Sequence, residues 1–505
     1  MVPSVLGVEF LVIRIDAVHV GELQSYFQNG WQIAGVLLGL LLATFSSSHA
    51  LIYKRDSRSA ILWVAFIWIL PVAGSFLYAF FGINRVKRRA LMLRGDMEHV
   101  ASKPAVEHGD LEHLNTSFGS EFEQWHPHFH AVRQITERPL LPGNDLQVLK
   151  NGEEAYPAMI QAMNEAAESI GLATYIFDHC PIGLEFVDAF EKAVKRGVDV
   201  RVLVDSTGSR YSWPSIFKAL KDANIPCARF LPFSTIKRPL TLNLHNHRKI
   251  LTIDGRIGFT GGMNIRQGHL VESGAKNPVQ DIHFCFRGPV VAHLQEAFVD
   301  DWLFSHGEKL PRKKWFPALD QQGEVFARGI SDGPDEDLDK LLWVLLSACH
   351  VARKSIIIMT PYFLPESTLV SALCLASMRG VEVNILLPEK NNLPFMQWAA
   401  NAMLWQVLIK GCRVWATPPP FDHGKLMLVD GHWALVGSAN WDARSLRLNF
   451  EFNVECYHPE TVQMLESILF DKIRASKEVT LDDLNNRSIP IKLRDGLTRL
   501  ATPYL

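Results

Sequence analysis

The sequence predicts an α/β protein of two similar lobes, preceded by an N-terminal two-helix transmembrane hairpin. Three observations carry this reading. Residues 31–53 and 59–84 form two runs without Asp, Glu, Lys or Arg. Farther on, the chain repeats itself: RGVDVRVLVD at 196–205 and RGVEVNILLP at 379–388 each follow an apolar strand-like run and a helical stretch. Finally, H-x-K-x-x-x-x-D occurs twice, at His247 and at His423, once in each half of that repeat.

Each charge-free run exceeds the roughly 20 residues that a helix needs to cross a hydrocarbon core. Pro71 lies inside the second run, where it is expected to kink the helix without forbidding it. A cleaved signal peptide fits poorly, because Glu9, Arg14 and Asp16 interrupt the start and the first apolar run begins late. Lys54, Arg55 and Arg58 occupy the turn, while Arg85, Lys87, Arg88, Arg89 and Arg94 follow the second run. The larger cluster places the downstream chain on the cytoplasmic side of the membrane, although the basic turn competes with it.

Composition agrees with a membrane enzyme. The 505 residues are 48% hydrophobic, with 13 Trp and 29 Phe, and a formal net charge of −2. That balance argues against a protein built to coat nucleic acid, which usually carries a basic surplus. Seven scattered cysteines point to a reducing compartment and not to a disulfide framework.

The repeat sets the domain boundaries. Residues 1–94 form the N-terminal segment and 95–140 a polar linker. The first lobe spans 141–305, the inter-lobe connection 306–340, the second lobe 341–475 and a C-terminal tail 476–505. Within the linker, His126, His128 and His130 could hold a metal. A run of surface histidines is the better reading, since no Cys, Asp or Glu cluster accompanies them. Each lobe repeats a β-α-β unit whose helix ends at Arg-Gly.

The two motifs carry the chemistry. The first reads His247-Arg-Lys249 through Asp254, then Gly261 and Asn264; the second reads His423-Gly-Lys425 through Asp430, then Gly437, Ser438 and Asn440. Gly and Asn follow His by fourteen and seventeen positions in both copies. Each motif reads as a strand running to an Asp-Gly turn. Residues i and i+2 of a strand face the same way, so His and Lys of each copy point into one cavity. Two imidazoles and two ammonium groups suit phosphodiester substitution: one imidazole attacks phosphorus, the other protonates the leaving alcohol, and the lysines offset phosphoryl charge. No metal or cofactor is required. The catalytic set is therefore His247, Lys249, Asp254, His423, Lys425 and Asp430. Each aspartate can either pair with a lysine or accept backbone N–H bonds in its turn, and the second, structural role is the stronger reading. His245 shares the parity of His247 but lacks the lysine offset, and is read as a neighbour. Tyr362 and Phe363 are read as core.

The paired motifs resemble those of the phospholipase D superfamily over about 150–475. That resemblance implies two phospholipase D-like lobes about a pseudo-twofold axis, a covalent phosphohistidine and no metal. It implies that Asp281 and Glu451 orient the histidines, and that Asn264, Ser438 and Asn440 bind substrate. More narrowly, the hairpin sequence, TPYFLPE at 360–366 and VGSANWDARSLRLNFE at 436–451 are similar to segments of bacterial cardiolipin synthases. The implied reaction joins two phosphatidylglycerols with release of glycerol. Alternatives are a hydrolytic phospholipase D, a phosphatidylserine synthase or, on the same fold, a membrane-tethered nuclease. The hairpin and balanced charge favour lipid over nucleic acid. His247 is assigned as nucleophile and His423 as acid, by analogy. Gly262 departs from the family's usual serine, which sets the equivalence of the half-sites in question.

Overall fold

A computed structural model of the chain describes residues 17–54, 57–83, 111–231, 244–335 and 337–502. It forms two compact units, Met1–Arg85 and Val86–Leu505. The basic residues 85–94, Arg55, and His99 and His108 of the expected linker lie outside the described residues.

The N-terminal unit contains α1 (Ala17–Tyr53), α2 (Ser57–Ile69) and α3 (Pro71–Leu77), with one π-helical turn over Tyr78–Gly82. Within α1, the 24 residues Gly30–Tyr53 have a mean hydropathy of 1.7 and are long and apolar enough to cross a membrane. Leu41, Phe45 and Ile52 point outward, about 70% exposed, as a lipid-facing surface requires. The second run differs from the single kinked helix that was expected. Its helix stops at Ile69, Leu70 turns to φ −131°, and Pro71 starts a new helix. Proline suits that first position because its φ is already helical and its missing N–H would have had no partner there. Both pieces still pack against α1, and the His49 ring meets the Tyr78 hydroxyl at 2.8 Å.

In the second unit, the first half contributes β1 (Leu141–Lys150), β2 (Ser169–Thr174), β3 (Asp199–Asp205), β4 (Cys227–Phe230), β5 (His245–Asn246), β6 (Ile250–Ile253), β7 (Ile257–Gly261), β8 (Val279–Gln280) and β9 (Ile282–Arg287). After these come β10 (Val325–Asp332), β11 (Ser355–Met359), β12 (Phe363–Leu364), β13 (Glu382–Pro388), β14 (Arg413–Thr417), β15 (Phe421–Asp422), β16 (Leu426–Val429), β17 (Trp433–Gly437), β18 (Trp441–Asp442), β19 (Asn449–Tyr457) and β20 (Lys477–Val479). One continuous sheet runs β20-β14-β13-β11-β16-β17-β19-β10-β1-β9-β7-β6-β2-β3-β4. The parallel trio β2-β3-β4 near one edge answers to the parallel trio β11-β13-β14 near the other. Parallel strands need helical crossovers, and these are the helices Pro181–Lys195 and Ser367–Met378, each ending at the predicted Arg-Gly.

Antiparallel pairing of β1 with β10 and of β10 with β19 joins the halves. Beneath this junction one core mixes residues of both, among them Phe286, Leu294 and Phe298 with Leu428, Val436 and Phe452. Two segments read as connections and one read as a tail are therefore built into the fold. Residues 306–340 contribute β10, the strand at the middle of the sheet. The tail contributes β20 and the helix Ile489–Arg499, which packs on the helix Pro394–Asn401. The expected linker instead buries Trp125, Phe129 and Val132 in the second-half core. His128 is fully buried, with Nδ1 2.9 Å from Ser347 and Nε2 3.4 Å from Glu455, while the His126 ring meets Asn115. The histidines are thus engaged separately, and among the described residues none joins a group able to hold a metal.

Each motif strand ends in a tight turn whose aspartate adopts left-handed φ, 51° at Asp254 and 56° at Asp430. Asp254 accepts the backbone N–H groups of Ala167, Glu168 and Ser169, and Asp430 those of Arg353, Lys354 and Ser355. These carboxylates close the entry to β2 and β11, at the end of the strand opposite the histidines. Membership of the reacting set is not what this placement supports, since the turn has already taken up their acceptors. Asp254→Ala and Asp430→Ala should each cost about 2–3 kcal/mol, from charge-assisted bonds lost to backbone donors, in denaturant titrations of the solubilised protein. Unchanged stability with abolished turnover would contradict this role.

Candidate active site

The two histidines meet because the segment before each motif crosses to the other half. β5 pairs in parallel with the start of β19, so the His247 N–H donates to the Phe450 carbonyl at 2.9 Å. In the same way β15 pairs with β8, and the His423 N–H donates to the Gln280 carbonyl at 2.8 Å. Each histidine therefore lands beside the acidic residue of the opposite half. His247 Nδ1 donates to Glu451 at 3.0 Å, and His423 Nδ1 donates to Asp281 at 2.9 Å. Both rings are nearly buried and both carboxylates essentially fully so. A carboxylate on Nδ1 fixes the tautomer and leaves Nε2 for chemistry. Sequence reading selected both acidic residues, but their crossed assignment follows only from the strand exchange.

Lys249 and Lys425 are both buried and close enough for each charge to be felt by the site around the other. Each Nζ donates to the carbonyl of its own histidine, Lys249 at 2.7 Å. Burial is the main force on their ammonium groups, lowering Lys249 to about 7 and Lys425 to about 8 against the pull of Glu451 and Asp281. His247 is likewise pushed down by burial, opposed by Glu451; His423 is pushed well down by burial and then by both lysines. Such a concentration of buried cationic groups is built to be completed by an anion.

The two half-sites differ at the carboxylates. Glu451 accepts from the Ser438 hydroxyl at 2.5 Å and from the Asn449 amide at 3.1 Å, in addition to His247. Burial opposes its ionisation, yet the charge and hydrogen bonds of its partners hold it below the usual carboxylate range. Asp281 has no such hydroxyl, and burial raises it despite Lys425. Gly262 stands in its half where Ser438 stands in the other. A Cβ there would fall 2.7 Å from both Asp281 oxygens and 3.0 Å from the His423 carbonyl. The departure from serine is thus steric: a shorter carboxylate approaches the backbone where a side chain would otherwise sit.

Other expected residues are placed as follows. Asn264 is buried and accepts the Ile176 N–H at 3.2 Å; Asn440 is buried and donates to Ser445 at 3.2 Å. Ser438, expected at the substrate, instead braces Glu451. Phe363 is core, stacked on Trp441, whereas Tyr362 is half-buried and bonds Asn392 at 2.8 Å. Sequence reading passed over Arg248, which is fully buried, donates to the Glu451 carbonyl at 3.1 Å and pairs with Asp301 at 2.8 Å. It also passed over Tyr175, whose ring lies 5.2 Å from that of His247. Tyr175 occupies the end of the first repeat (SIGLATYIF), a signal that its place in the repeat could have raised.

Because the obstruction at Gly262 is the Cβ itself, Gly262→Ala and Gly262→Ser should both lower turnover, by roughly 10–100-fold as for displaced orienting carboxylates. A serine variant as active as the parent would refute the steric explanation. Ser438→Ala removes a donor that keeps Glu451 ionised, so Glu451 should protonate at higher pH and the acid limb of the kcat/KM profile should move upward. An unmoved limb would mean that the hydroxyl does not tune Glu451.

Comparison with known proteins identifies the family of the chain. The family described as cardiolipin synthase, PLD-like domain, matches residues 159–302 and 345–473, and a phospholipase D-nuclease N-terminal family matches 41–82. The major cardiolipin synthase ClsA of Bacillus subtilis (strain 168) is 30% identical over 458 residues, covering 90% of this chain and 95% of the relative. Cardiolipin synthase 1 of Bacillus anthracis is 30% identical over 506 residues, covering 98% of each. Among solved structures, phosphatidylserine synthase of Haemophilus influenzae Rd KW20 superposes with a TM-score of 0.58 at 16% identity, covering 75% of this chain and all of that one; it shares the fold. With both segments that carry the motifs matched by one family and relatives aligned from end to end, the chain belongs to the PLD-like cardiolipin synthase family.

Proposed function

We propose that this protein is a cardiolipin synthase, joining two phosphatidylglycerols into cardiolipin and releasing glycerol. The observation that carries the proposal is the crossed pair of histidines, each held at Nδ1 by a buried carboxylate, with a buried lysine bonded to the carbonyl of each. In the first half-reaction His247 Nε2 attacks the phosphorus of one phosphatidylglycerol. The phosphorus–oxygen bond to glycerol breaks, His423 gives that oxygen its proton, and the phosphatidyl group remains on His247. In the second, the glycerol hydroxyl of another phosphatidylglycerol passes its proton to His423 and attacks phosphorus, freeing His247 and completing cardiolipin.

The unequal carboxylates support this order. A phosphorylated imidazole still bonded at Nδ1 carries positive charge, and Glu451, kept ionised by Ser438 and Asn449, is the better counter-ion for it. His423 must be protonated to act as acid, which burial and two ammonium groups resist. An arriving phosphodiester offsets the lysines and so raises His423 as the substrate binds. Lys249 and Lys425 thereafter hold the phosphoryl oxygens.

The two lobes, 141–305 and 341–475, are proposed as repeats about a pseudo-twofold axis, supported by the mirrored sheet order and the reciprocal exchange of β5 and β15. For the N-terminal unit we propose a two-pass hairpin in a bacterial cytoplasmic membrane, with the catalytic lobes on the cytoplasmic side. Its apolar helix, the packing of α2 and α3 on α1 and the matched N-terminal family support an anchor of this kind.

Solubilised protein given labelled phosphatidylglycerol without metal should yield cardiolipin and glycerol. Phosphatidic acid alone would indicate hydrolysis, and inertness towards lipid with cleavage of single-stranded DNA would sink the lipid reading. His247→Ala and His423→Ala should each abolish turnover; substantial activity in both would refute a shared site. The lysine charges are present below their lowered pKa values and lost above them. Accordingly kcat/KM should fall as pH rises through about 7 and 8, as Lys249 and then Lys425 lose their protons. A flat profile to pH 10 would contradict the role given to them.

A further inference from the structure

The helix Ile489–Arg499 near the C-terminus carries an apolar stripe that no described residue of the second unit covers. Ile489, Leu493, Leu497 and Leu500 are spaced by four, four and three residues and are 72, 69, 70 and 72% exposed. That spacing puts them on one face of a helix. The opposite face is firmly held. Asp495 is fully buried and pairs with Arg487 at 2.5 Å and Arg494 at 2.7 Å, and the Arg494 guanidinium lies 4.2 Å from the centre of the Trp398 ring. The stripe therefore belongs to an anchored helix and not to a fraying end.

We propose that this helix docks on an anionic phospholipid surface, laying its four aliphatic side chains into the boundary between headgroups and acyl chains. Charge favours that occupant. Lys492 and Arg499 are exposed around the stripe, and the one carboxylate of the helix is buried and paired inward with Arg494 and Arg487. An apolar stripe flanked by cations is the pattern of an interfacial helix, and each cation near an anionic surface adds attraction. A second copy fits less well. Four such side chains expose a few hundred Å², short of the roughly 800 Å² per partner of a stable interface, and self-pairing would bring like cations together.

A succession of ring contacts connects the neighbourhood of this helix with His423. It packs on the helix Pro394–Asn401, whose Met396, Gln397 and Ala400 line a cavity of about 210 Å³ together with Tyr362. The Tyr362 ring is 6.4 Å from Phe421, and Phe421 is 6.0 Å from His423. Docking here sets the edge of the second lobe that leads to His423 against the surface from which lipid is drawn. The inference rests on the proposed function only in taking the substrate to be a lipid of that surface.

The test uses the full chain reconstituted in vesicles, with Leu493→Cys carrying an environment-sensitive fluorophore. Cys180, Cys227 and Cys374 are replaced by serine; the other four cysteines are buried. Phosphatidylglycerol with brominated acyl chains should quench the label at least twofold, and brominated phosphatidylcholine less. Absence of quenching, or a blue-shifted label that bromine does not reach, as when a second copy covers the face, would overturn docking. In addition, Leu493→Asp with Leu497→Asp should lower the ratio of turnover on phosphatidylglycerol vesicles to turnover on dispersed short-chain phosphatidylglycerol at least tenfold. An unchanged ratio would overturn it too. A parent protein that makes no cardiolipin defeats the proposed function, while the quenching result still decides docking.

Discussion

Everything at the candidate site depends on a reciprocal exchange of two short strands. β5 and β15 are only two residues each, yet each leaves its own half: β5 pairs with β19, which bears Glu451, and β15 pairs with β8, which ends one residue before Asp281. Side-chain bonds His247–Glu451 and His423–Asp281 follow from those backbone bonds. Neither half holds a complete histidine–carboxylate pair by itself, so the chemistry requires the β1–β10–β19 junction and the mixed core beneath it. Arg248 reinforces the dependence, reaching from the first half to the Glu451 backbone while neutralised by Asp301. On the other side Lys472 joins Gln280 and Asp422, across the halves again.

Burying this many ionisable groups is costly unless each finds a partner. The fold meets that cost differently in its two halves. Around Glu451 it supplies a hydroxyl, an amide and an imidazole, enough to keep a buried carboxylate ionised. Around Asp281 it supplies the imidazole and the Ile282 N–H, and closes the remaining space with Gly262. The proposed two-step reaction asks one histidine to carry phosphorus and the other to move protons, and the unequal settings of Glu451 and Asp281 accord with that division. The lysines remain alike in setting, each tied to its histidine's carbonyl.

Much of this was legible in the sequence because it was written locally and twice. Strands β6 and β16, their Asp-Gly turns and the β-α-β units all follow from periodicity and turn chemistry within a few residues. The backbone-binding role of Asp254 and Asp430 was within reach for the same reason. What could not be read was set at a distance. Polar composition suggested a linker at 95–140 and hid Trp125, Phe129 and Val132, which stand at i, i+4 and i+7, the spacing of one buried helix face. The segment 306–340 reads as a connection because its Pro and Gly residues surround β10, a strand recognisable only by its two neighbours. Pro71 was expected to bend a helix and instead begins one, since Leu70 gives up helical geometry first. Gly262 looked like a lost hydroxyl, and only the position of Asp281 shows it to be a matter of space.

The crossed pairing is tested most directly by loading His247 from a lipid that needs no acid, phosphatidyl-p-nitrophenol, and mapping the trapped label by mass spectrometry. Glu451→Gln should block loading of the His247 peptide, whereas Asp281→Asn and His423→Ala should still load it, because only departure of a poor leaving group requires His423. If Asp281→Asn blocks loading of His247 and Glu451→Gln permits it, the histidines are not served by the opposite half and the account is wrong.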